Sequence, residues 1–126
     1  MRYNDRYPII VTAAHKACRD FWTKHLGFAV VFENDWFTYL AAEGATIAFM
    51  SPDHPSSPPG PEPYEAGISL ELEVGDASEA LAEFEASGGK PDYPLTDEAF
   101  GQRRFSFRDP SGLWVNVVQQ MAMPAV

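Results

Sequence analysis

Cysteine is almost absent from this sequence of 126 residues. The single thiol, Cys18, cannot form an internal disulfide. It falls on the apolar face of a predicted helix, and small buried thiols behave as ordinary apolar side chains. We therefore interpret Cys18 as an inert core residue and exclude a fold that depends on disulfides.

Basic residues are scarce as well. Nine lysines and arginines stand against 18 aspartates and glutamates, which leaves a net charge of −9. Nucleic-acid binding requires a basic surface, and only the segment GQRRFSFRD is basic, so we expect no nucleic-acid partner. An acidic surface mostly aids solubility, although it would also favour a cationic ligand.

Long apolar runs are missing too. None reaches the roughly 18 residues that a membrane helix requires, and the N-terminal MRYNDRYPII lacks the apolar core of a signal peptide. We therefore expect a cytoplasmic protein without membrane contact. What the sequence does contain is 45% hydrophobic residues, enough for the core of one compact domain.

The first half of the chain predicts one helix among four strands. YPIIVT (7–12) indicates a strand, and apolar residues at helical spacing predict a helix over 15–26 that Gly27 ends. Three further strands are predicted at 28–33, 36–42 and 46–51. The proline-rich segment 52–66 then excludes a helix or a central strand and predicts a linker.

The second half repeats this order. A strand is predicted at 68–74, followed by a helix that Asp76 caps and that Gly88 and Gly89 close. The remaining strands are predicted at 91–95, 103–108 and 113–119, the last two as a hairpin around the turn Asp109-Pro110-Ser111-Gly112.

The duplicated order β-α-β-β-β predicts the fold. We expect an α+β protein of two βαβββ modules, at about 7–51 and 67–120, within a single domain over 1–126. The modules form a curved, mostly antiparallel half-barrel sheet with the helices on the outside.

Two segments in this order resemble the vicinal oxygen chelate superfamily over residues 7–120. They are FWTKHLGF, which closes the first helix, and GQRRFSFRDPSGLWV near the end. The superfamily contains glyoxalase I, extradiol dioxygenases, fosfomycin-modifying thiol transferases and bleomycin-resistance proteins. For members that use a metal, the resemblance implies two ligands in each half, usually histidine on the first strand and glutamate on the last.

In this sequence the corresponding positions carry Tyr7, Ala48, Ser69 and Asn116. Histidine and carboxylate are the usual donors to a catalytic divalent metal, and neither occurs in this set. The resemblance is therefore nearest to the metal-free members similar to bleomycin-resistance proteins, and we predict no metal and no other cofactor. Asn116 either faces a cup without a metal or is a core amide bonded to neighbouring backbone.

Strand alternation then selects the residues that line the cup. Aromatic walls with a few polar groups are typical of a small-molecule site, although the same rings could instead fill a core or a dimer interface. Glu71 and Arg104 form either a salt bridge or two ligand contacts. The predicted ligand-binding residues are Tyr7, Phe37, Tyr39, Ala48, Met50, Ser69, Glu71, Arg104, Trp114 and Asn116.

The resemblance implies a metal-free homodimer that binds a small molecule, such as a bleomycin-like antibiotic sequestered in a cup or a dimer groove. The ligand would be aromatic or cationic. The alternative is an enzyme of the glyoxalase and dioxygenase superfamily, acting as a lyase, isomerase or thiol transferase. Such an enzyme would use a metal, or Glu71 or Glu73 as general base.

Overall fold

The computed structural model describes residues 1–53 and 62–122, which divide into two compact units, Met1–Glu65 and Ala66–Val126. We call them the first and second module. Most of the predicted linker lies outside the described residues.

The first module contains one helix and one four-stranded sheet. Its elements are β1 (Ile9–Val11), α1 (His15–Leu26), β2 (Ala29–Glu33), β3 (Phe37–Ala42) and β4 (Ala45–Met50). The strands lie in the order β1-β4-β3-β2. The pair β1–β4 is parallel, and the other two pairs are antiparallel.

Helix α1 is fixed at both ends and packs on one face of this sheet. The Thr12 hydroxyl accepts a hydrogen bond from the Ala14 amide at 3.0 Å just before the helix begins. Gly27 ends it with a φ of 72°, a left-handed conformation that glycine adopts without strain, and its amide donates to the Trp22 carbonyl. The buried Trp22 ring lies 5.9 Å from that of Phe49, which identifies the helix-covered face of the sheet.

The second module repeats this arrangement. Its elements are β5 (Ser69–Glu73), α2 (Ala77–Ala86), β6 (Tyr93–Glu98), β7 (Gln102–Arg108) and β8 (Trp114–Gln120). The strands lie in the order β5-β8-β7-β6. Here β5–β8 is the parallel pair, and the two remaining pairs are antiparallel.

Helix α2 begins at an Asp76 cap, whose carboxylate accepts from the Glu79 amide at 3.0 Å. Its buried Phe84 stacks on Phe107 with ring centroids 4.4 Å apart. The Gly89 amide donates to the Phe84 carbonyl at 2.8 Å, the same bond that Gly27 makes to Trp22. The two helices therefore end alike, around one buried aromatic residue each.

The fold prediction is confirmed: the protein is α+β, with two βαβββ modules and mostly antiparallel strand pairing. The described residues form two separate four-stranded sheets and no closed barrel. They contain no helix long and apolar enough to cross a membrane.

Two strands differ from the prediction by two residues or more, and the other strands differ by one residue at most at either end. β1 begins at Ile9 rather than at residue 7, because Pro8 has no amide to donate to a neighbouring strand. β6 runs over Tyr93–Glu98 rather than 91–95, with an irregularity between Tyr93 and Thr96 around Pro94. The left-handed residue after α2 is Gly88, at a φ of 91°.

Candidate functional site

The helix-free face of the first sheet carries a row of aromatic rings. Phe37 pairs with Met50 and Tyr39 with Ala48, so these residues alternate with Phe49, which lies beneath α1. This assigns the face of β3 on which Phe37 and Tyr39 lie, a choice that the sequence left open.

Four of these rings form two contacting pairs. Tyr7 packs against Tyr39 with centroids 4.7 Å apart. Phe32 pairs with Tyr39 across β2–β3, and its ring lies 6.3 Å from that of Phe37. We call Tyr7, Phe32, Phe37 and Tyr39 the aromatic face. Phe32 is 54% exposed, so part of this face is available to a ligand.

The N-terminal segment is tied to the same face. The Tyr39 hydroxyl donates to Asp5 at 2.8 Å, and the Thr46 hydroxyl donates to the Arg6 carbonyl at 3.2 Å. The hydrogen bond to the Asp5 carboxylate holds the pKa of Tyr39 above its ordinary value. A surface cavity next to these contacts is lined by Tyr3, Asn4, Asp5 and Arg6.

The helix-free face of the second sheet is polar. Because Phe105 and Phe107 pack on Phe84 of α2, the alternate residues of β7 lie on the opposite face. Strand pairing places three rows there: Ser69, Trp114 and Arg108; Glu71, Asn116 and Ser106; and Glu73, Val118 and Arg104.

The middle row is a chain of side-chain hydrogen bonds. The Ser106 hydroxyl donates to Asn116 Oδ1. Asn116 Nδ2 donates to Glu71 Oε1 at 2.8 Å, and the Ser69 hydroxyl donates to the same oxygen at 3.3 Å. Ser106 and Asn116 are buried, whereas Glu71 is exposed. Asn116 is therefore satisfied by side chains and not by neighbouring backbone.

Arg104 is not paired with Glu71, so the salt-bridge interpretation was wrong. Strand pairing places Arg104 one row away, opposite Val118. Its Nη2 lies 3.8 Å from Glu98 Oε2, and its guanidinium covers the rings of Tyr93 and Phe100 at 5.2 and 5.6 Å. Its Nε is buried and has no hydrogen-bond partner among the described residues.

A second arginine covers an aromatic ring on this face. The Arg108 guanidinium lies 4.7 Å from the ring of Trp114, its partner across the hairpin. Strand alternation places Ser106 on the same face as Arg104, but neither Ser106 nor Arg108 was among the predicted ligand-binding residues. Phe32, Tyr93, Glu98 and Phe100 were also missed. The edge strand β6 has no clear apolar alternation in its sequence that would have identified its residues.

The structure thus divides the predicted site residues between the two modules. Tyr7, Phe37, Tyr39, Ala48 and Met50 lie together on the first sheet, and Ser69, Glu71, Trp114 and Asn116 lie together on the second. Arg104 shares the second face but belongs to the cluster with Tyr93, Phe100 and Glu98.

These residues do not fit a divalent metal. The four positions that the resemblance assigns to ligands carry no imidazole and no carboxylate. Ala48 has no donor atom, and the amide oxygen of Asn116 already accepts from Ser106. The described residues also contain no group of three histidine, cysteine, aspartate or glutamate side chains that could hold a metal ion.

Two βαβββ modules, each with one helix-covered and one helix-free sheet face, define an α+β protein with a duplicated fold. The chain belongs to the Glyoxalase/Bleomycin resistance protein/Dioxygenase superfamily, whose family profile matches residues 6–117. A comparison with curated proteins found no match.

Solved structures of similar fold include a glyoxalase/bleomycin resistance protein/dioxygenase from Nocardioides, with a TM-score of 0.77 and 19% identity, covering 100% of this chain and 90% of that one. A bleomycin resistance determinant encoded on the transposon Tn5 gives a TM-score of 0.70 and 19% identity, covering 94% and 98%. A bleomycin-binding protein complexed with bleomycin gives 0.66 and 20% identity, covering 94% and 99%. At these identities the likeness extends to the fold alone.

Proposed function

We propose that this protein binds a planar aromatic small molecule without a metal. The observation that carries the proposal is the occupation of the four metal-ligand positions by Tyr7, Ala48, Ser69 and Asn116. Lewis-acid catalysis needs a metal held by good donors with an open position for substrate, and this set of side chains does not supply those donors.

The aromatic face supports the proposal that the ligand is a planar aromatic molecule. Offset or tilted ring contacts contribute about 0.5–1.5 kcal/mol each beyond the burial of apolar area. Tyr7, Phe32, Phe37 and Tyr39 form such contacts among themselves, and the exposed part of Phe32 is open to another ring. Small-molecule sites combine surfaces of this kind with a few polar groups.

A bleomycin-like antibiotic is the first compound to test. Two proteins of similar fold are a bleomycin resistance determinant and a bleomycin-binding protein. The net charge of −9 would favour a cationic drug of that kind. In this proposal the protein would confer antibiotic resistance by sequestering the drug.

The proposal includes a homodimer. β2 lies at the end of the strand order and exposes Val30 and Val31 beside Phe32, which gives the first module an apolar edge that a second copy would cover while Phe32 contacts the ligand. Sedimentation velocity over a range of concentrations would measure the assembly. The cytoplasmic location expected from the sequence stays a prediction.

The first experiment measures metal and ligand on the same protein. Protein expressed with added Fe, Mn, Ni and Zn and purified without chelator is assayed by elemental mass spectrometry, and then titrated with bleomycin and planar aromatic compounds while tryptophan fluorescence is followed. We expect less than about a tenth of an equivalent of metal and saturable binding. Near one equivalent of metal, or consumption of a ligand as followed by mass spectrometry, would favour the enzyme alternative and overturn the proposal.

A pair of variants on β2 tests the aromatic face. Phe32 and Val31 are 54% and 59% exposed on the same strand, but only Phe32 has a ring contact with Phe37. We expect Phe32→Ala to weaken binding of the aromatic ligand about fivefold to tenfold, as expected for one lost ring contact. Val31→Ala should leave it unchanged, and equal affinities for the two variants would contradict the assignment of this face.

A further inference from the structure

We propose that the ligand carries a cationic head group with N–H donors, such as an amine, amidine or guanidine, and that Glu71 Oε2 accepts it. This inference rests on the proposed function and adds the chemical class of the ligand. It follows from the direction of the hydrogen bonds in the middle row of the second sheet.

The side-chain hydrogen bonds of that row, together with the one from Ser69, run in the direction of Glu71. Ser106 donates to Asn116, Asn116 donates to Glu71, and Ser69 donates to Glu71. A hydroxyl has one hydrogen and two lone pairs, so both serines have used their hydrogens and retain lone pairs. The row therefore offers acceptors to a ligand and few donors.

Only one of the two carboxylate oxygens of Glu71 accepts hydrogen bonds from the described residues. Both bonds to its carboxylate end on Oε1, and Oε2 has no hydrogen-bond partner in the part of the chain that the structure describes. Glu71 is exposed, so this oxygen is accessible. A carboxylate accepts most strongly from a charged donor, because charge-assisted hydrogen bonds are about twice as strong as neutral ones.

No cation of the second module neutralises this carboxylate. Within the described ranges Glu71 has no ion-pair partner, because Arg104 lies near Glu98 and Arg103 pairs with Asp97. Arg108 lies over the ring of Trp114. A ligand cation would thus meet an uncompensated negative charge that buried groups already hold in place.

The burial of Asn116 and Ser106 positions the carboxylate in advance. Asn116 is 9% exposed and Ser106 is 3% exposed, so neither side chain moves freely. Groups held by such a supporting layer lose little freedom when a ligand binds. Asn116 and Ser106 are therefore positioning residues, and Glu71 is the binding residue.

Trp114 is a second aromatic surface, distinct from the aromatic face of the first sheet, and Arg108 lies over one side of its ring. Trp114 pairs with Ser69, and Asn116 lies two residues further along the same face of β8, at a separation of about 7 Å. A ring against Trp114 and a head group at Glu71 match an aromatic compound that carries an amidine as a direct substituent.

Three probes that differ only in the head group test this inference by calorimetry: 2-naphthamidine, 2-naphthamide and 2-naphthoate. We expect the amidine to bind about tenfold more tightly than the amide, as one charge-assisted hydrogen bond would give. Glu71→Gln should reduce that ratio to about threefold or less. Glu83→Gln removes the same charge from an exposed position on α2 and should preserve the ratio.

The positioning role is tested by Ser106→Ala and Ser106→Thr. Loss of the hydroxyl should lower the amidine-to-amide ratio while the amide still binds, and threonine, which keeps the hydroxyl, should restore the ratio. A general loss of structure would weaken both probes equally and would contradict the positioning role.

The outcomes separate the two proposals. If none of the three probes binds, the proposed function fails together with this inference. If all three bind with similar affinity, the aromatic binding function stands and the cationic head group is wrong. If 2-naphthoate binds most tightly, the arginines and not Glu71 recognise the head group, and this inference is overturned.

Discussion

Asn116 Nδ2 donates a hydrogen bond to Glu71 Oε1 at 2.8 Å, across the parallel strands β8 and β5. Because Asn116 also accepts from Ser106 on β7, one line of side chains connects three strands. The asparagine in VNVV is therefore a structural link as well as a candidate part of a binding surface, and the two roles predict different measurements.

The structural role predicts that Asn116 and Ser106 are energetically coupled. Asn116→Val leaves the buried Ser106 hydroxyl without its acceptor, which should cost about 1–3 kcal/mol in the free energy of unfolding. Adding Ser106→Ala removes the unpaired hydroxyl, so the double variant should recover about 1 kcal/mol. Urea denaturation of the unchanged protein, the two single variants and the double variant gives the coupling free energy between the two residues. If the changes in unfolding free energy add to within about 0.3 kcal/mol, the hydrogen bond contributes nothing to stability.

A steric prediction concerns Gly89 at the end of α2. A Cβ at this position would lie 2.7 Å from three atoms of the Phe84 ring, which is buried. We expect Gly89→Ala to destabilise the protein by about 1–3 kcal/mol, the usual cost of overpacking a core. Gly75→Ala is the matched control, because a Cβ there meets nothing within 4 Å and its φ is not positive. The melting temperatures of the two variants are compared by thermal unfolding. Equal melting temperatures would show that the Phe84 ring moves aside easily.

A third prediction concerns the pH dependence of the aromatic face. The hydrogen bond from Tyr39 to Asp5 raises the pKa of Tyr39 above 10.0 in the folded protein. This contribution to stability is therefore fully present below the unfolded pKa and is lost as the pH rises through the folded pKa. The absorbance difference at about 295 nm between the protein and Tyr39→Phe isolates the ionisation of this tyrosine. Asp5→Asn should lower the pKa of Tyr39, and an unchanged titration would contradict the contact.

A fourth prediction concerns the contribution of Arg104 to stability. Its guanidinium lies over the rings of Tyr93 and Phe100, its distance to Glu98 is 3.8 Å, and its buried Nε has no partner among the described residues. Arg104→Met keeps an unbranched apolar stem and removes the unpaired N–H group, so we expect the unfolding free energy to change by less than about 1 kcal/mol. Chemical denaturation measures it, and a loss of more than about 2 kcal/mol would show that the guanidinium contacts hold the hairpin.

The helices were predictable from sequence because their ends are set by local chemistry. α1 runs over His15–Leu26 as predicted, since Gly27 supplies the left-handed residue that ends it. The Asp76 cap was predictable for the same reason. The hairpin of β7 and β8 followed from the Asp109–Gly112 turn, where the Gly112 amide donates to the Asp109 carbonyl at 2.9 Å.

The site was less predictable, because it depends on which residues pair across strands. Alternation correctly placed Glu71, Asn116 and Arg104 on one face, but it did not show that Arg104 lies one row beyond Glu71. β6 was placed too early because an edge strand with a proline and polar residues has little apolar periodicity to mark it. The partners of Arg104 on and beside that strand, Tyr93, Glu98 and Phe100, were missed as a result.

The exposed edge of the first sheet has a consequence for the protein in concentrated solution. All five residues of β2 are exposed, and its one charged residue, Glu33, is engaged by Arg19. A strand edge of this kind can add a strand from another molecule without prior unfolding, which is how many folded proteins begin to aggregate. In a copy whose edge is not covered, such growth would start at Val30, Val31 and Phe32, and Val31→Lys is a single change that would oppose it.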